Sequence, residues 1–218
     1  MASGMLGGGN HVSFSLTSIH VRLSKKSARQ HASSLLLEKR KRTSFSQSDF
    51  NYPLPGITVS SDGNSSNASS TSWKSDSTSA VIGSGRSDFE KATAALQKWK
   101  MFQLGWAEVD PETPVKIHEP VVVVARAVVP WTCNPLEIVY VHKTKREFAF
   151  AHGTCHGHLL RGEERFAVRL DDNGDVVYTV SAVSQPAHIA SKLTYPVVRL
   201  LQKRFAEDSV KAMERALM

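Results

Sequence analysis

The residues best suited to chemistry lie close together, at positions 153–164. His158 is followed shortly by Glu163 and Glu164. If the chain bends at Gly162, a carboxylate reaches the imidazole of His158 and fixes its tautomer, as acid–base catalysis requires. We therefore take His158 and Glu163 as candidate catalytic residues. In the alternative interpretation, Glu163 pairs with a neighbouring arginine and His158 satisfies a buried carbonyl group.

A metal site is the second chemistry that this segment suggests. On a regular strand, His152, His156 and His158 project from one face, and three histidines can hold Zn²⁺ with an open fourth position. Gly153 and Gly157 are, however, expected to bulge the strand and to break this alignment. We therefore predict no metal site, and nothing in the sequence predicts a cofactor.

Further side chains are predicted to line a ligand cavity. Aromatic rings and hydroxyl groups on one face of an antiparallel sheet can form an apolar wall with a few polar groups. The candidate ligand-binding residues are Thr154, His158, Phe166, Tyr178 and Trp106. The alternation over residues 176–183 does not decide which of its two faces points inward.

Length and composition limit the function classes. The chain has 218 residues, of which 41% are hydrophobic, enough for one globular core. Its longest apolar run, residues 121–125, is far shorter than the ~20 residues of a membrane span, so we predict no transmembrane segment. With two cysteines and no secretory signal, we expect a reducing compartment and no disulfide scaffold.

The net charge of +7 belongs to the N-terminal segment. Residues 1–47 hold eight Lys and Arg but one acid, whereas residues 48–218 hold 19 basic and 19 acidic side chains. A neutral domain has no sequence-independent attraction for phosphate backbones, so we predict no nucleic-acid binding. A basic, serine-rich and acid-poor N-terminus is typical of an organelle transit peptide. Its Met-Ala-Ser start favours the chloroplast, with a mitochondrial or cytoplasmic protein as the alternative.

The rest of the chain divides into three segments. Residues 48–59 form an apolar edge that is expected to dock on the main domain. Residues 60–79 are mostly small and polar and are predicted to form a flexible loop, because they cannot bury enough apolar area to become ordered. Residues 80–218 are predicted to form a single domain.

The element pattern of this domain predicts an α+β fold. An amphipathic helix over residues 87–101 begins with a capping box of Ser87 and Glu90. Strands are predicted over residues 121–129, 136–142, 147–153, 156–170 and 175–184, with a hairpin turn at residues 171–174. Because no helix separates them, the sheet must be antiparallel. A helix from Pro196 to Leu217 presents Val198, Leu201, Phe205, Ala212 and Met213 to the sheet.

Several motifs resemble an uncharacterised family of plants and bacteria, the domain-of-unknown-function family 1990 (UPF type). The matching residues are Gly83-Ser84-Gly85-Arg86, Leu96-Gln97-Lys98-Trp99, Gly105-Trp106, Gly153-Thr154, Gly157-His158, residues 162–166, Ser184-x-Pro186, Tyr195-Pro196, Phe205, and Phe50-Asn51-Tyr52 with Gly56 and Thr58. The chain departs from the family in the serine-rich residues 60–79 and in Cys155, where an apolar residue is usual. The family pattern is similar to helix-grip proteins of the START and Bet v 1 type, in which a curved sheet wraps a long C-terminal helix around an apolar cavity.

This resemblance implies a curved antiparallel sheet with an N-terminal helix and a long C-terminal helix packed across it. We expect the domain to bind a small hydrophobic molecule between the sheet and the C-terminal helix, and not to be primarily an enzyme. Two alternatives stay open. One is a cyclase, dehydratase or hydrolase that uses His158 with Glu163, and the other is a structural or interaction protein with a filled core. The sequence identifies no protein partner.

Overall fold

A computed structural model describes residues 20–41, 49–53, 55–58, 73–126, 130–158, 160–187 and 195–218. Its strands are β1 (Val21–Arg22), β2 (Lys74–Ser84), β3 (Ala107–Glu108), β4 (Pro120–Arg126), β5 (Trp131–Lys143), β6 (Glu147–Thr154), β7 (Leu160–Leu170) and β8 (Asp175–Pro186). Its helices are α1 (Lys25–Lys41), α2 (Gly85–Gln97), α3 (Tyr195–Leu217) and a 3₁₀ turn (Lys100–Phe102). None of the described helices is long and apolar enough to cross a membrane.

The described strands form one curved antiparallel sheet. Its order is β2-β8-β7-β6-β5-β4-β3, and β1 pairs with β5 outside this path. Strands β3 to β8 therefore neighbour one another in chain order, as expected when no helix separates them. The predicted α+β class is confirmed, and so is the hairpin turn between β7 and β8, where the amide of Gly174 donates to Asp171.

The main core lies between the inner face of the sheet and helices α2 and α3. Alternate residues of a strand share a face, so Phe148 and Phe150 of β6 both point inward. The ring of Phe150 lies 5.1 Å from the ring of Trp99 and 5.4 Å from that of Phe166. Phe205 brings α3 onto the same cluster, with its ring 6.2 Å from Phe166.

Helix α3 matches its prediction closely. It runs from Tyr195 to Leu217, one residue longer at its start than predicted. Phe205, Ala212 and Met213 of the predicted stripe are buried, whereas Val198 and Leu201 are half-buried. The exception has a simple cause, because the first turns of α3 cover a cavity instead of packed core.

The predicted start of α2 is wrong by two residues. The helix begins at Gly85 with Ser84 as its N-cap, and the Ser84 amide donates to the Asp88 carboxylate. Strand β2 runs directly into the helix, and Gly85 makes the turn with a φ of +74° that favours glycine. The predicted capping box is therefore absent, and Glu90 accepts a hydrogen bond from Arg86.

The flexible loop predicted over residues 60–79 is wrong for its last six residues. Residues 74–79 belong to β2, which pairs with β8 from Lys74 to Ser84. Backbone pairing here overrides a polar composition, and the side-chain contacts are polar as well, with Ser79 bonded to Thr179 and Asp76 paired with Arg199 of α3. Strand β7 was likewise predicted too early, because residues 156–158 form a turn.

A helix that the sequence analysis did not predict covers the outer face of the sheet. Helix α1 lies against β4 and β5 through Ala28, Ala32 and Leu36, which pack on Val122, Val124, Trp131 and Cys133. Its basic side chains reach two acids, with Arg29 2.8 Å from Glu108 of β3 and Arg40 2.7 Å from Glu119, which precedes β4. The segment predicted as a leader thus contributes an element of the fold.

Residues 49–53 and 55–58 lie on the same outer face, beyond the end of β6. Phe50 bridges to Cys155, and the Asn51 amide donates to the carbonyl of Thr154. The Asn51 side chain donates to the carbonyl of Leu160 at 2.9 Å. This segment therefore joins the end of β6 to the start of β7 and holds the turn between them.

Candidate functional site

A cavity of about 220 Å³ lies between the inner face of the sheet and the first turns of α3. Strands β4 to β8 supply its floor, and the segment around Phe102 and Trp106 supplies one wall. Its apolar lining consists of Phe102, Trp106, Ala107, Val123, Ala125, Leu136, Leu160, Gly162, Ala182, Val198, Leu201 and Phe205. Its polar lining consists of Thr132, Asn134, His152, Thr154, His158, Glu164, Ser184 and Gln202, together with Glu163, whose carboxylate is bonded to residues 52–58 on the outer face.

Most polar groups around the cavity are bonded within the protein. The Thr154 hydroxyl donates to Asn51 and accepts the Gly162 amide at 2.9 Å. Gln202 of α3 donates to Ser184 of β8 at 3.1 Å. The Trp106 indole donates to Asp208 at 2.9 Å, so its polar edge is engaged with α3. Trp106 and Thr154 both line the cavity, and their role in ligand binding stays a prediction.

His158 lines the cavity through a ring whose Nδ1 is engaged by the backbone. The amide of Leu160 donates to Nδ1 at 2.9 Å, and the longer contact of Nδ1 is with the Leu160 carbonyl oxygen at 3.2 Å. Burial, reinforced by nearby His152, lowers the pKa of His158 to about 4. The ring is therefore neutral at pH 7, and the shorter contact leaves its proton on Nε2.

Glu163 does not orient His158. Its carboxylate accepts a hydrogen bond from the Tyr52 hydroxyl at 2.7 Å, and others from the Gly56 amide and from the Thr58 amide and hydroxyl. The side chain is 3% exposed and lies on the outer face, since its cross-strand neighbour is Gly153, above which the Tyr52 hydroxyl lies. The predicted His158–Glu163 contact is thus replaced by an anchor for residues 52–58.

The carboxylate that faces the cavity belongs to the adjacent residue, Glu164. It is opposite His152 in the register of β6 and β7, and His152 Nε2 lies 3.4 Å from Glu164 Oε2. The His152 ring is buried and stacked on Phe166 at 5.3 Å, and neither of its nitrogens has a hydrogen-bond partner within the described residues. The imidazole and the carboxylate that lie opposite each other at the cavity therefore belong to His152 and Glu164.

Two predicted ligand-binding residues belong to the packed core. Phe166 is fully buried among Phe102, Phe150 and His152. Tyr178 is fully buried too, and its hydroxyl lies 3.3 Å from the hydroxyl of Ser209 in α3. Neither lines the cavity. The structure also settles the inward face of β8, because Tyr178 points inward while Thr179 bonds to Ser79 of the edge strand.

The histidines do not form the three-residue face that a metal would need. Strand β6 ends at Thr154, so only His152 lies on it, and exposed His156 belongs to the following turn. Over the described residues, no cluster of three or more His, Cys, Asp or Glu side chains is arranged to hold a metal ion. The two cysteines are buried and free, and burial raises the pKa of Cys155 to about 11, which leaves its thiol protonated at neutral pH.

The sequence analysis missed four polar residues of the cavity lining, Ser184, Gln202, Asn134 and Thr132. The Asn134 amide donates to Thr132 and to the Val123 carbonyl, both at 3.1 Å, which fixes its oxygen as an acceptor without a partner among the described residues. A signal was present, since Thr132, Asn134 and Leu136 alternate along one strand. The alternation did not show that this face points toward α3.

Comparisons with known proteins agree with this architecture. The family described as Domain of unknown function (DUF1990) matches residues 58–212. A UPF0548 protein of Arabidopsis thaliana is 44% identical over 139 residues, which cover 61% of this chain and 68% of that protein. A UPF0548 protein of Dictyostelium discoideum is 33% identical over 149 residues, which cover 62% of this chain and 69% of that protein. Among solved structures, a hypothetical protein of Helicobacter pylori has a TM-score of 0.51 at 10% identity and covers 79% of this chain and 98% of its own. That last likeness is one of fold alone.

Proposed function

This chain belongs to the family described as Domain of unknown function (DUF1990), and we propose that it binds a small hydrophobic molecule in the cavity between its sheet and α3. The observation that carries the proposal is a cavity of about 220 Å³ with a mainly apolar lining, which lies beside a core of buried hydrophobic side chains. The cavity is partly open to solvent, so its apolar lining is exposed to water when the cavity is empty. A hydrophobic ligand that fills it removes this apolar surface from water, which favours binding.

Native mass spectrometry of the full chain, isolated without denaturation and then incubated with mixed lipids, tests the proposal. We expect a bound mass that disappears on denaturation. Ala182 lines the cavity, so Ala182→Phe should fill it and abolish the bound mass. Ala94→Phe is the matched control, because Ala94 is exposed on α2.

A clean unliganded mass in every variant, including after lipid incubation, contradicts binding. That result favours the structural or interaction role, in which the protein's own side chains suffice to stabilise the core. A bound mass that survives in Ala182→Phe contradicts the location of the site instead. The two failures are therefore distinguishable.

An enzyme is the second candidate, favoured by one observation: His158 and Glu164 line the same apolar cavity. A neutral imidazole and a carboxylate on one ligand are the groups that a cyclase, dehydratase or hydrolase uses for proton transfer. Glu164 replaces Glu163 in this role, since Glu163 is bonded to residues 52–58. The variant His158→Ala separates the two candidates. If the protein is an enzyme, the variant should lose turnover and still bind the ligand. If the protein is a carrier, the variant should lose at most a few-fold in ligand affinity.

We also propose that residues 1–47 direct the chain to the chloroplast, with a mitochondrial or cytoplasmic location as the alternatives. The support is compositional, since this segment is basic and serine-rich with a single acid. Cleavage is expected before Phe50. The N-terminus of the protein isolated from cells tests this directly, and an intact Met1 contradicts it.

A further inference from the structure

We infer that the ligand carries an oxygen acceptor, a carbonyl, ether or hydroxyl oxygen, which receives a hydrogen bond from Nε2 of His158. This inference rests on the proposed function and specifies the chemistry of the ligand. It follows from asking which polar groups around the cavity are already bonded within the protein.

Most of these groups are engaged. Trp106, Thr154 and Gln202 donate to Asp208, Asn51 and Ser184, and the Asn134 amide donates to a strand carbonyl. These bonds leave the lining of the cavity with few free donors. An apolar ligand with no polar atom would fit such a surface except at His152 and His158, and the His152 ring is only 2% exposed and is stacked on Phe166.

The other free donor is the distal nitrogen of the His158 ring, which is the less buried of the two. Because Nδ1 accepts the Leu160 amide at 2.9 Å, the neutral ring carries its proton on Nε2. The His158 side-chain contacts within the described residues all involve Nδ1, so Nε2 has no partner there, and His158 is one of the residues that line the cavity. A donor facing an apolar cavity gains a hydrogen bond when a ligand presents an oxygen, and loses its hydration without compensation when the ligand is a hydrocarbon.

Acceptors are free on the same cavity. The Asn134 oxygen has no donor among the described residues, and the Glu164 carboxylate has only His152, at 3.4 Å. A hydroxyl group on the ligand can accept a hydrogen bond from His158 and also donate one to these acceptors, whereas an ether oxygen can only accept. Comparing an ether with a hydrocarbon therefore measures the hydrogen bond from His158 alone.

The experiment compares naphthalene with 2-methoxynaphthalene on the full chain by fluorescence titration. An apolar cavity of about 150 Å³ is known to hold benzene, so 220 Å³ has room for a bicyclic ring. For each protein, the measured quantity is the affinity for 2-methoxynaphthalene divided by the affinity for naphthalene. This ratio is then compared between the wild type and the variant. The different water solubilities of the two probes affect both proteins equally, so they cancel in this comparison. His158→Asn is the test variant, because its side-chain oxygen can still accept the Leu160 amide.

We expect His158→Asn to reduce the ratio by about 2- to 12-fold, the worth of one net hydrogen bond. His156→Asn, two residues away in the exposed turn, should leave the ratio unchanged. An unchanged ratio in His158→Asn, while both probes still bind, overturns the inference and leaves the proposed function standing. Failure of both probes to bind the wild type overturns both.

Discussion

His152 and Glu164 lie opposite each other on neighbouring strands, with His152 Nε2 3.4 Å from Glu164 Oε2. The His152 ring is only 2% exposed and is surrounded by Trp99, Phe102 and Phe166. Neither ring nitrogen has a hydrogen-bond partner among the described residues. A buried polar group without a partner is costly to the fold, so this histidine marks a place where stability and another requirement conflict.

We expect His152→Phe to raise the free energy of unfolding by about 1 kcal/mol, because it removes an unsatisfied polar group from an aromatic cluster. The reciprocal variant Phe150→His places an unpaired imidazole at the adjacent inward position of β6 and should lower it by about 1–3 kcal/mol. Urea denaturation measures both. A loss of more than 2 kcal/mol in His152→Phe would show that the imidazole makes a stabilising contact.

Glu163 should matter for stability and not for chemistry at the cavity. Four donors from Tyr52, Gly56 and Thr58 converge on its buried carboxylate. Glu163→Gln sets an amide against these donors, and we expect it to lower the free energy of unfolding by about 2–3 kcal/mol and to expose residues 50–58 to proteolysis. Glu112→Gln is the control, since the Glu112 side chain is 78% exposed and its pair with Lys98 is worth little.

The catalytic prediction for Glu163 is tested by the same variant. Glu163→Gln could unfold at the same denaturant concentration as the wild type and yet lose ligand affinity or turnover. That result would show that the carboxylate acts on the ligand, and that its hydrogen bonds to residues 52–58 contribute little to stability. Tyr52→Phe separates the contributions further, because it removes one donor and leaves the carboxylate charge in place. We expect it to cost about 1 kcal/mol.

The elements predicted correctly are those whose signals are local. The residue spacing of α3 and the turn chemistry at Gly174 both act within a few positions, so the sequence was sufficient for them. The predicted cavity residues Thr154, His158 and Trp106 line the cavity, whereas Phe166 and Tyr178 are in the core. An inward aromatic ring looks the same in the sequence whether it meets a ligand or other rings.

The sequence analysis predicted the Glu163 carboxylate at the cavity, whereas the structure places the Glu164 carboxylate there. The geometry of a strand explains this difference. A shift of one residue along a strand moves a side chain to the other face of the sheet. Gly162 has a φ of +139°, and its position is fixed by the close approach of the Val183 carbonyl oxygen, which a Cβ atom would overlap. The pairing of β7 with β6 and β8 decides which of its residues point inward, and this long-range pairing cannot be read from the residues around Gly162.

Helix α1 was missed because its buried stripe is made of small residues, Ala28 and Ala32 with Leu36, amid serines and charges. Its partner strand did carry a signal. Residues 121–124 are all apolar, and a strand that is apolar on both faces is usually covered on both. The sequence analysis used this run to predict a strand and did not ask what covers its second face.

Stability should fall in mild acid through His158. Its pKa is lowered to about 4 in the folded protein, against about 6.5 when unfolded, so the unfolded chain binds the extra proton first as the pH falls. The stabilisation is fully present above pH 6.5 and is lost as the pH falls through 4, with an upper limit of about 3 kcal/mol. His158→Asn should remove this part of the pH dependence between 6.5 and 4. His156→Asn should retain it, and parallel curves for all three proteins would contradict the assignment.

The seating of α1 gives the last prediction. Leu36 is 8% exposed on the face that packs against β4, whereas neighbouring Leu37 is 57% exposed. Leu36→Asp buries a charge against Val122 and Val124 and should release the helix, which hydrogen exchange would detect as lost protection over residues 25–41 with β6 to β8 unaffected. Leu37→Asp should leave the protection unchanged.

Equal exchange in the two variants would show that α1 is not held by its apolar face, and the ion pairs to Glu108 and Glu119 would then be its main attachment. High salt distinguishes these cases, because it weakens exposed ion pairs and not apolar packing. The result also bears on import. If α1 is held as the structure shows, cleavage before Phe50 would uncover Val122, Val124, Trp131 and Cys133, so a processed protein must gain another cover for this face or lose stability.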